Sequence, residues 1–390
     1  MARLRSPLAV IFLTVFIDLV GFGIVIPVLP LYAERFGASP LVIGLLLGIY
    51  SAMQSIFAPI LGKLSDRVGR RPVLLVSILG TSLGFLVMGL AQTLWLLFLA
   101  RMIDGATGGN ISTAQAYIAD VTPPEQRSRG MGLIGAAFGL GFIFGPAIGG
   151  ILSRVSLAAP FFFAAGLAAA NALAIFCFLP ESLSEARRRS VQRHDSLLDV
   201  VTGSARRGLI ATAATYFCTT LAFSLLTATY PLFTEKRFGY DATHNGYIFA
   251  SQGIIGAVIQ GGLLGWLVKR SGDKWLAVSG TIVLALCLFL LPLSTTTLML
   301  LLATAGIAVG HSLIAAPVNA LASKHVGGEA QGRVLGLMQS AASLARIIGP
   351  VLGGLLLNYD ASAVGSPFGR TPYWVAGCVM LAAFLCAVNL

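Results

Sequence analysis

Apolar residues in this chain neither alternate nor recur on one helical face. They run on in long blocks, each almost free of charge, separated by short polar knots. A helix needs about 20 consecutive apolar residues to cross the hydrocarbon core of a bilayer. Blocks of that kind fall near 7–31, 42–61, 73–92, 94–118, 131–152, 160–179, 208–232, 246–267, 275–293, 297–321, 333–356 and 372–390. The pattern predicts twelve membrane-spanning helices. The longest polar stretch, "PESLSEARRRSVQRHDSLLDVVTGSARRG" at 180–208, lies mid-chain and reads as a solvated linker. The expected fold is an all-α membrane protein: an N-terminal six-helix bundle over 1–180, a cytoplasmic linker over 181–207 and a C-terminal six-helix bundle over 208–390.

The two halves echo one another. "PLYAERFG" (30–37) returns as "PLFTEKRFG" (231–239), "GKLSDRVGRRPV" (62–73) as the degraded "GWLVKRSGDKWL" (265–276), and "GPAIGG" (145–150) as "GPVLGG" (349–354). Glu125 with Arg129 returns as Glu329 with Arg333, and the four offsets are 201, 203, 204 and 204. Echoes held in register over that distance predict a duplicated six-helix unit. Two parallel six-helix repeats around a central cavity are an architecture of secondary transporters, which bind their cargo near mid-membrane between the repeats.

Composition sharpens the setting. Hydrophobic residues make up 56% and charged residues only 11%, against about 25% charged in soluble domains. Net charge is +11, but the basic residues are segregated rather than gathered into a nucleic-acid patch. With the N-terminus placed in the cytoplasm, 19 of the 26 Lys and Arg fall in loops on its side, 5 on the opposite side, and Arg101 and Arg346 within spans. That asymmetry puts both termini in the cytoplasm. The basic start resembles a signal peptide, but its apolar run is too long and no small-residue cleavage site follows, so it is kept as a span. The five cysteines all lie in apolar runs, without metal-ligand spacing or a disulfide framework. No metal, cofactor or enzymatic chemistry is expected: phosphate-cradling Gly-Lys-Ser/Thr loops and nucleophile elbows are absent from the sequence.

Three motifs carry the chemistry. "LGKLSDRVGRRPVLL" (61–75) packs five charges and two glycines between two apolar runs. Through Gly62, Leu64, Asp66, Arg67, Gly69, Arg70 and Arg71 it resembles the signature loop of the major facilitator superfamily, G-x-L-x-D-R-x-G-R-R. Its glycines suit a tight turn, and the resemblance implies a latch between the halves. In that latch Asp66 and Arg70 act with Asp120, at the end of the fourth span, facing the start of the eleventh near Arg333. "GLIGAAFGLGFIFGPAIGG" (132–150) places Gly141, Gly145 and Gly149 on one smooth face for close helix packing. With Pro146 and Gly150 it is similar to the antiporter motif of the superfamily's exporters. "IDLVGFGIVIPVLP" (17–30) resembles the first-span motif of the twelve-span drug:proton antiporters through Asp18, Gly21, Gly23, Pro27 and Pro30.

An acid within a membrane helix costs about 2.5–3.5 kcal/mol even on lenient insertion scales, so Asp18 needs a partner or a task. Arg101 and Asp104 share a face of the fourth span. At about 1.5 Å per residue, Asp18 lies roughly 20 Å in from Ser6 and Arg101 roughly 12 Å from the other surface, so their depths nearly coincide. Asp18, Asp104 and Arg101 are the candidates for proton coupling, with either acid able to carry the proton. Gln54, Asn110, Gln115, Gln252, His311, Asn319, Gln339 and Arg346 are candidates for the cavity; His311 either titrates or packs. The resemblance implies a proton-coupled antiporter exporting drugs or amphiphilic small molecules by alternating access, with protons as the coupling ion. It further implies a monomer in the bacterial inner membrane, with lipid and a small-molecule substrate as partners. The alternative is a transporter of a specific metabolite such as a sugar, lipid or siderophore. The look is nearest to the bacterial tetracycline efflux transporters, with departures. Those carry a third-span Asp where this chain has Gly84, an eighth-span His where it has Gly256, and a ninth-span Asp where it has none.

Overall fold

The computed structural model describes residues 7–123, 126–183, 206–324, 331–363 and 368–390. Arg3, Arg5, Glu125, Glu329 and linker residues 184–205 lie outside the described residues, as do the side chains of Arg129 and Arg333. Every regular element among the described residues is helical. In chain order they are α1 (Pro7–Glu34), α2 (Pro40–Val68), α3 (Arg70–Gly89), α4 (Leu94–Thr107), α5 (Asn110–Val121), α6 (Arg127–Leu152) and α7 (Ala159–Phe178). There follow α8 (Arg206–Phe238), α9 (Ala242–Val258), a π-turn (Ile259–Leu263), α10 (Leu264–Leu290), α11 (Thr297–Lys324), α12 (Gln331–Ser362) and α13 (Arg370–Val388).

Ten helical stretches among the described residues are long and apolar enough to cross a membrane. The expected twelve differ from this at two places, each for a physical reason. The fourth span is broken: α4 stops at Thr107 and α5 restarts at Asn110, because two consecutive glycines, Gly108 and Gly109, disfavour helix. The eighth and ninth run together as one 52-residue stretch, Ala242–Leu293. Its chain turns at Gly272, whose φ of 77° is non-helical and which a side chain would adopt only under strain. Read separately, the two arms at Gly272 bring the long apolar stretches among the described residues to eleven, while α4 and α5, of 14 and 12 residues, are each shorter than a crossing.

The chain forms two compact units, residues 1–37, 49–193 and 242–250 in the first and 38–48, 194–241 and 251–390 in the second. In the first, α1 packs along α6 and α7, and α3 along α4 and α7. Its core is apolar and close-packed around Ile11, Val15, Leu74, Tyr117 and Ile175. In the second, α8 packs along α12 and α13, and α10 along α11 and α13. Large apolar side chains such as Trp95, Phe176, Leu302 and Leu385 are exposed, as a lipid-facing surface requires.

The repeat is visible in the backbone. Gly37 and Gly239 both have positive φ, 77° and 67°, as do Gly69 and Gly272, 117° and 77°. Gly145 sits against Val20 and Gly23 of α1, while Gly349 sits against Leu221 and Ser224 of α8, the same positions one repeat on.

Candidate functional site

The break in the fourth span builds the first site. It frees backbone groups that a continuous helix would pair, and Gln54 Nε2 donates to the Gly108 carbonyl at 3.1 Å. It also makes Asn110 the first residue of α5, fully buried. From there Asn110 Nδ2 donates to Asp18 Oδ1 of α1 at 2.8 Å. A helix N-terminus favours a nearby negative charge, so α5 begins where an ionised Asp18 would be stabilised.

One turn back on α4, Arg101 Nη1 and Asp104 Oδ2 form an ion pair of 3.0 Å, with side chains 2% and 8% exposed. The Arg101 guanidinium lies over the Tyr50 ring, 4.2 Å from its centroid, an attraction worth about 2 kcal/mol when desolvated. Asp104 also acts on Asp18 by charge, so two carboxylates and one guanidinium share the site. Asp18 itself is half-buried. Arg101 Nε and Asn110 Oδ1 are buried without a hydrogen-bond partner among the described residues. Native interiors tolerate few such atoms, and two in one cluster mark an arrangement with unused bonding capacity.

The turn between α2 and α3 is the second site. Gly69 is its whole length, since α2 runs to Val68 and α3 starts at Arg70. Gly62, expected to serve the turn, instead lies inside α2 with open space where a Cβ would be. Asp66 Oδ1 pairs with Arg70 Nη1 at 2.6 Å and Arg70 Nε with Asp120 Oδ2 at 3.2 Å, while Arg70 Nη1 also donates to Ser65 Oγ at 2.7 Å. Arg67 is exposed. Arg71 Nη2 donates to the Phe176 carbonyl at 2.6 Å. Glu181, placed in the linker by its sequence context, caps α3 instead: its carboxylate accepts from the backbone N–H of Arg70 at 2.9 Å and of Arg71 at 3.2 Å.

The second half answers with opposite signs. One repeat on, Asp66, Arg70 and Asp120 become Lys269, Asp273 and Lys324. The Lys324 ammonium pairs with Asp273 at 2.5 Å, so the ion pair between turn and neighbouring helix survives with its charges exchanged.

On α6, a Cβ at Gly141 would meet Leu19 Cβ at 2.5 Å, one at Gly145 the Gly23 Cα at 2.7 Å, and one at Gly149 the Ile24 Cα at 3.1 Å. These three face α1 directly. Gly150 faces α9, where Thr243 Oγ1 donates to its carbonyl at 2.9 Å, and Pro146 lies within α6 with its carbonyl against Gly246.

The sequence model of the Major Facilitator Superfamily matches residues 11–271 and 212–390. The chain belongs to this superfamily. Among curated members it is 37% identical over 370 residues to the class C tetracycline resistance protein of Escherichia coli, covering 92% of this chain and 91% of that one. It is 29% identical to multidrug resistance protein 2 of Bacillus subtilis over 371 residues, 94% and 90% of the two chains. Among solved structures, the human organic anion transporter MFSD10 superposes with a TM-score of 0.73 at 25% identity, over 98% of this chain and 99% of that one.

Of the expected cavity residues of this superfamily member, Asn110 and Gln54 join the first site, as above. Gln115 and Gln339 are exposed. Asn319 donates to the Ala315 carbonyl at 2.9 Å, a bond within its own helix. His311 stacks on Phe223, centroids 4.3 Å apart, and Arg346 Nη2 donates to Ser343 Oγ at 3.2 Å. Gln252 is buried, its Nε2 without an acceptor among the described residues. Gly84, where tetracycline exporters place an acid, packs on Asp104: a Cβ there would lie 3.0 Å from the Asp104 Cβ. Tyr50 and Glu181 are the functional neighbours that sequence reasoning missed. A single tyrosine in an apolar run carries no periodic signal, whereas the acid directly after Pro180 at a span end could have been read as a cap.

Proposed function

We propose that this chain is a proton-driven exporter of drugs or other amphiphilic small molecules, working by alternating access. It crosses the bacterial inner membrane twelve times as a monomer, with both termini in the cytoplasm. The observation that carries this reading is the buried cluster of Asp18, Asn110, Arg101, Asp104 and Tyr50. Asp18 is half-buried and held by a neutral amide, so a proton can reach and leave its carboxylate. Asp104 is locked to Arg101 and serves as the fixed charge. When Asp18 is ionised, Asn110 and the start of α5 stabilise it; when protonated, it gives up that attraction. Substrate arrival and proton binding then compete for one charged site, and alternating access turns the competition into exchange.

The test is Asp18→Asn in inside-out vesicles with an imposed proton gradient. The variant keeps size and hydrogen bonding but cannot change charge. It is expected to bind substrate while losing uphill efflux and substrate-induced proton release, with Asp104→Asn milder. Uphill transport that persists in Asp18→Asn and vanishes in Asp104→Asn would move the carrier to Asp104. Persistence in both would overturn the mechanism.

A further inference from the structure

The duplicated halves differ where their second helix nears its end. In the first half that helix, α2, is α-helical from Pro40 to Val68. In the second half the π-turn Ile259–Leu263 interrupts its counterpart between α9 and α10. Such turns are rare, and they recur at functional sites. Beside this one runs a groove of about 480 Å³ lined by aliphatic side chains. Ile254, Val258, Leu263 and Leu267 form one flank, and Val309 and Leu313 of α11 the other. All of it lies within the second unit. Ile254, Val258 and Leu263 are 51%, 56% and 48% exposed, so the groove opens onto the lipid-facing surface. From Ile254 to Leu267 the chain advances 13 residues, roughly 20 Å at about 1.5 Å each. That exceeds the hydrocarbon depth of one leaflet, roughly half of 30 Å.

The groove leads to positive charge. Leu263, Leu267 and Arg270 stand at i, i+4 and i+7, on one face of the helix. Arg270 is exposed and lies over the Trp266 ring, 5.5 Å from its centroid. Lys269 beside it is exposed as well, and Lys274 follows the turn. Asp273, the single acid in 264–276, is taken by Lys324 at 2.5 Å. None of Lys269, Arg270 and Lys274 pairs with an acid among the described residues. The matching turn of the first half is better neutralised, since Arg70 pairs there with both Asp66 and Asp120. Trp266 and Trp275, 57% and 66% exposed, stand where the first half has Lys63 and Pro72. Tryptophan collects where hydrocarbon meets headgroups, and surplus cations there attract anionic headgroups. A second copy of the chain packed symmetrically on this face would bring the same cations against them. We propose that groove and turn form a site for one anionic phospholipid. An acyl chain lies along the π-turn between α10 and α11, the Arg270 guanidinium holds the phosphate through its planar fork, and Lys269 adds to the attraction. The site is independent of the exporter reading and lies apart from the acids of the first unit.

The experiment presents the purified, delipidated full chain in detergent with equal amounts of dioleoylphosphatidylglycerol and dioleoylphosphatidylcholine, and counts the lipids retained by native mass spectrometry. The two lipids share their chains and differ in charge. The wild type is expected to retain one phosphatidylglycerol, with a preference of at least about tenfold over phosphatidylcholine. Arg270→Gln is expected to bring that preference below about threefold. Arg154→Gln, which removes one exposed cation elsewhere, is expected to leave it unchanged. Val258→Phe fills the groove and is expected to weaken retention of phosphatidylglycerol at least about fivefold. The three substituted positions are exposed, so each variant is expected to fold. Equal retention of the two lipids by the wild type, or a preference that survives Arg270→Gln, would overturn the inference. So would an equal loss in Arg154→Gln, which makes the attraction one of net charge, or full retention in Val258→Phe. Dimers of the chain that form in place of lipid binding and vanish in Val258→Phe would overturn it in favour of a second copy.

Discussion

Replacing Gly145 by alanine adds one methyl group at the closest backbone approach between α1 and α6. The new Cβ would lie 2.7 Å from Gly23 Cα, 2.7 Å from the Val20 carbonyl oxygen and 3.1 Å from Gly23 C. Carbon atoms rest about 3.5–4.0 Å apart, so the helices must separate by about 1 Å. All three atoms are backbone, and no side chain can swing aside to absorb the shift. A gap of that size forfeits a quarter to a half of each contact it opens, and overpacking of this kind costs about 1–3 kcal/mol. The neighbouring Gly139 is the control, since a Cβ there meets nothing within 4 Å, and alanine in place of glycine favours the helix by about 1 kcal/mol. The assay is the unfolding midpoint of purified protein in mild detergent, with transport measured in parallel. Gly145→Ala should lower the midpoint and impair transport, while Gly139→Ala should leave both unchanged or raise the midpoint. Equal effects of the two substitutions would refute the close-contact reasoning.

The Asp66 side chain is 45% exposed, so Asp66→Asn should cost under about 1 kcal/mol of stability yet cripple transport; a thermal midpoint that falls in step with activity would make the residue merely structural. For the sign-inverted pair of the second half, Asp273→Lys should reduce expression and activity, and adding Lys324→Asp should recover a substantial part of both, as read from transport per folded protein. Gly84→Asp should inactivate, because its Cβ would lie 3.0 Å from the Asp104 Cβ and 3.2 Å from the Ala100 carbonyl. Gly84→Asp with Asp104→Gly should regain proton-coupled efflux in vesicles, and no gain over the single variant would show that the two positions are not interchangeable.

Much of the fold was legible because a bilayer allows few solutions. Long uncharged runs become helices, and the repeat of "GPAIGG" as "GPVLGG" gives the packing partners of α6 and α12. The turn at Gly69 was readable from its motif. The break at Gly108 and Gly109 was not, because hydropathy averaged over a window of about 20 residues does not register a two-residue interruption. With the break missed, Asn110 was one weak polar residue among several rather than the partner of Asp18. Glu181 was hidden for the opposite reason. A charged stretch following a span reads as linker, and only the geometry shows its carboxylate against the first amides of α3.

The residues that stayed the same across the duplication differ in kind from those that diverged. Gly145, Gly149 and Gly349 meet backbone or Cβ atoms of the neighbouring helix, and Gly353 meets the Leu225 carbonyl together with the Thr229 and Leu225 side chains. Any side chain there displaces a helix, so both copies remain glycine. Asp18 corresponds to Thr219, Arg101 to Ala305 and Asp104 to Ala308; these side chains are bounded by other side chains, which can change together. Close packing constrains the backbone contact far more than the group beyond it. A duplicated bundle can therefore keep one scaffold twice while placing the Asp18, Arg101 and Asp104 cluster in one copy only. The unequal distribution of charge between the halves follows from that difference in constraint.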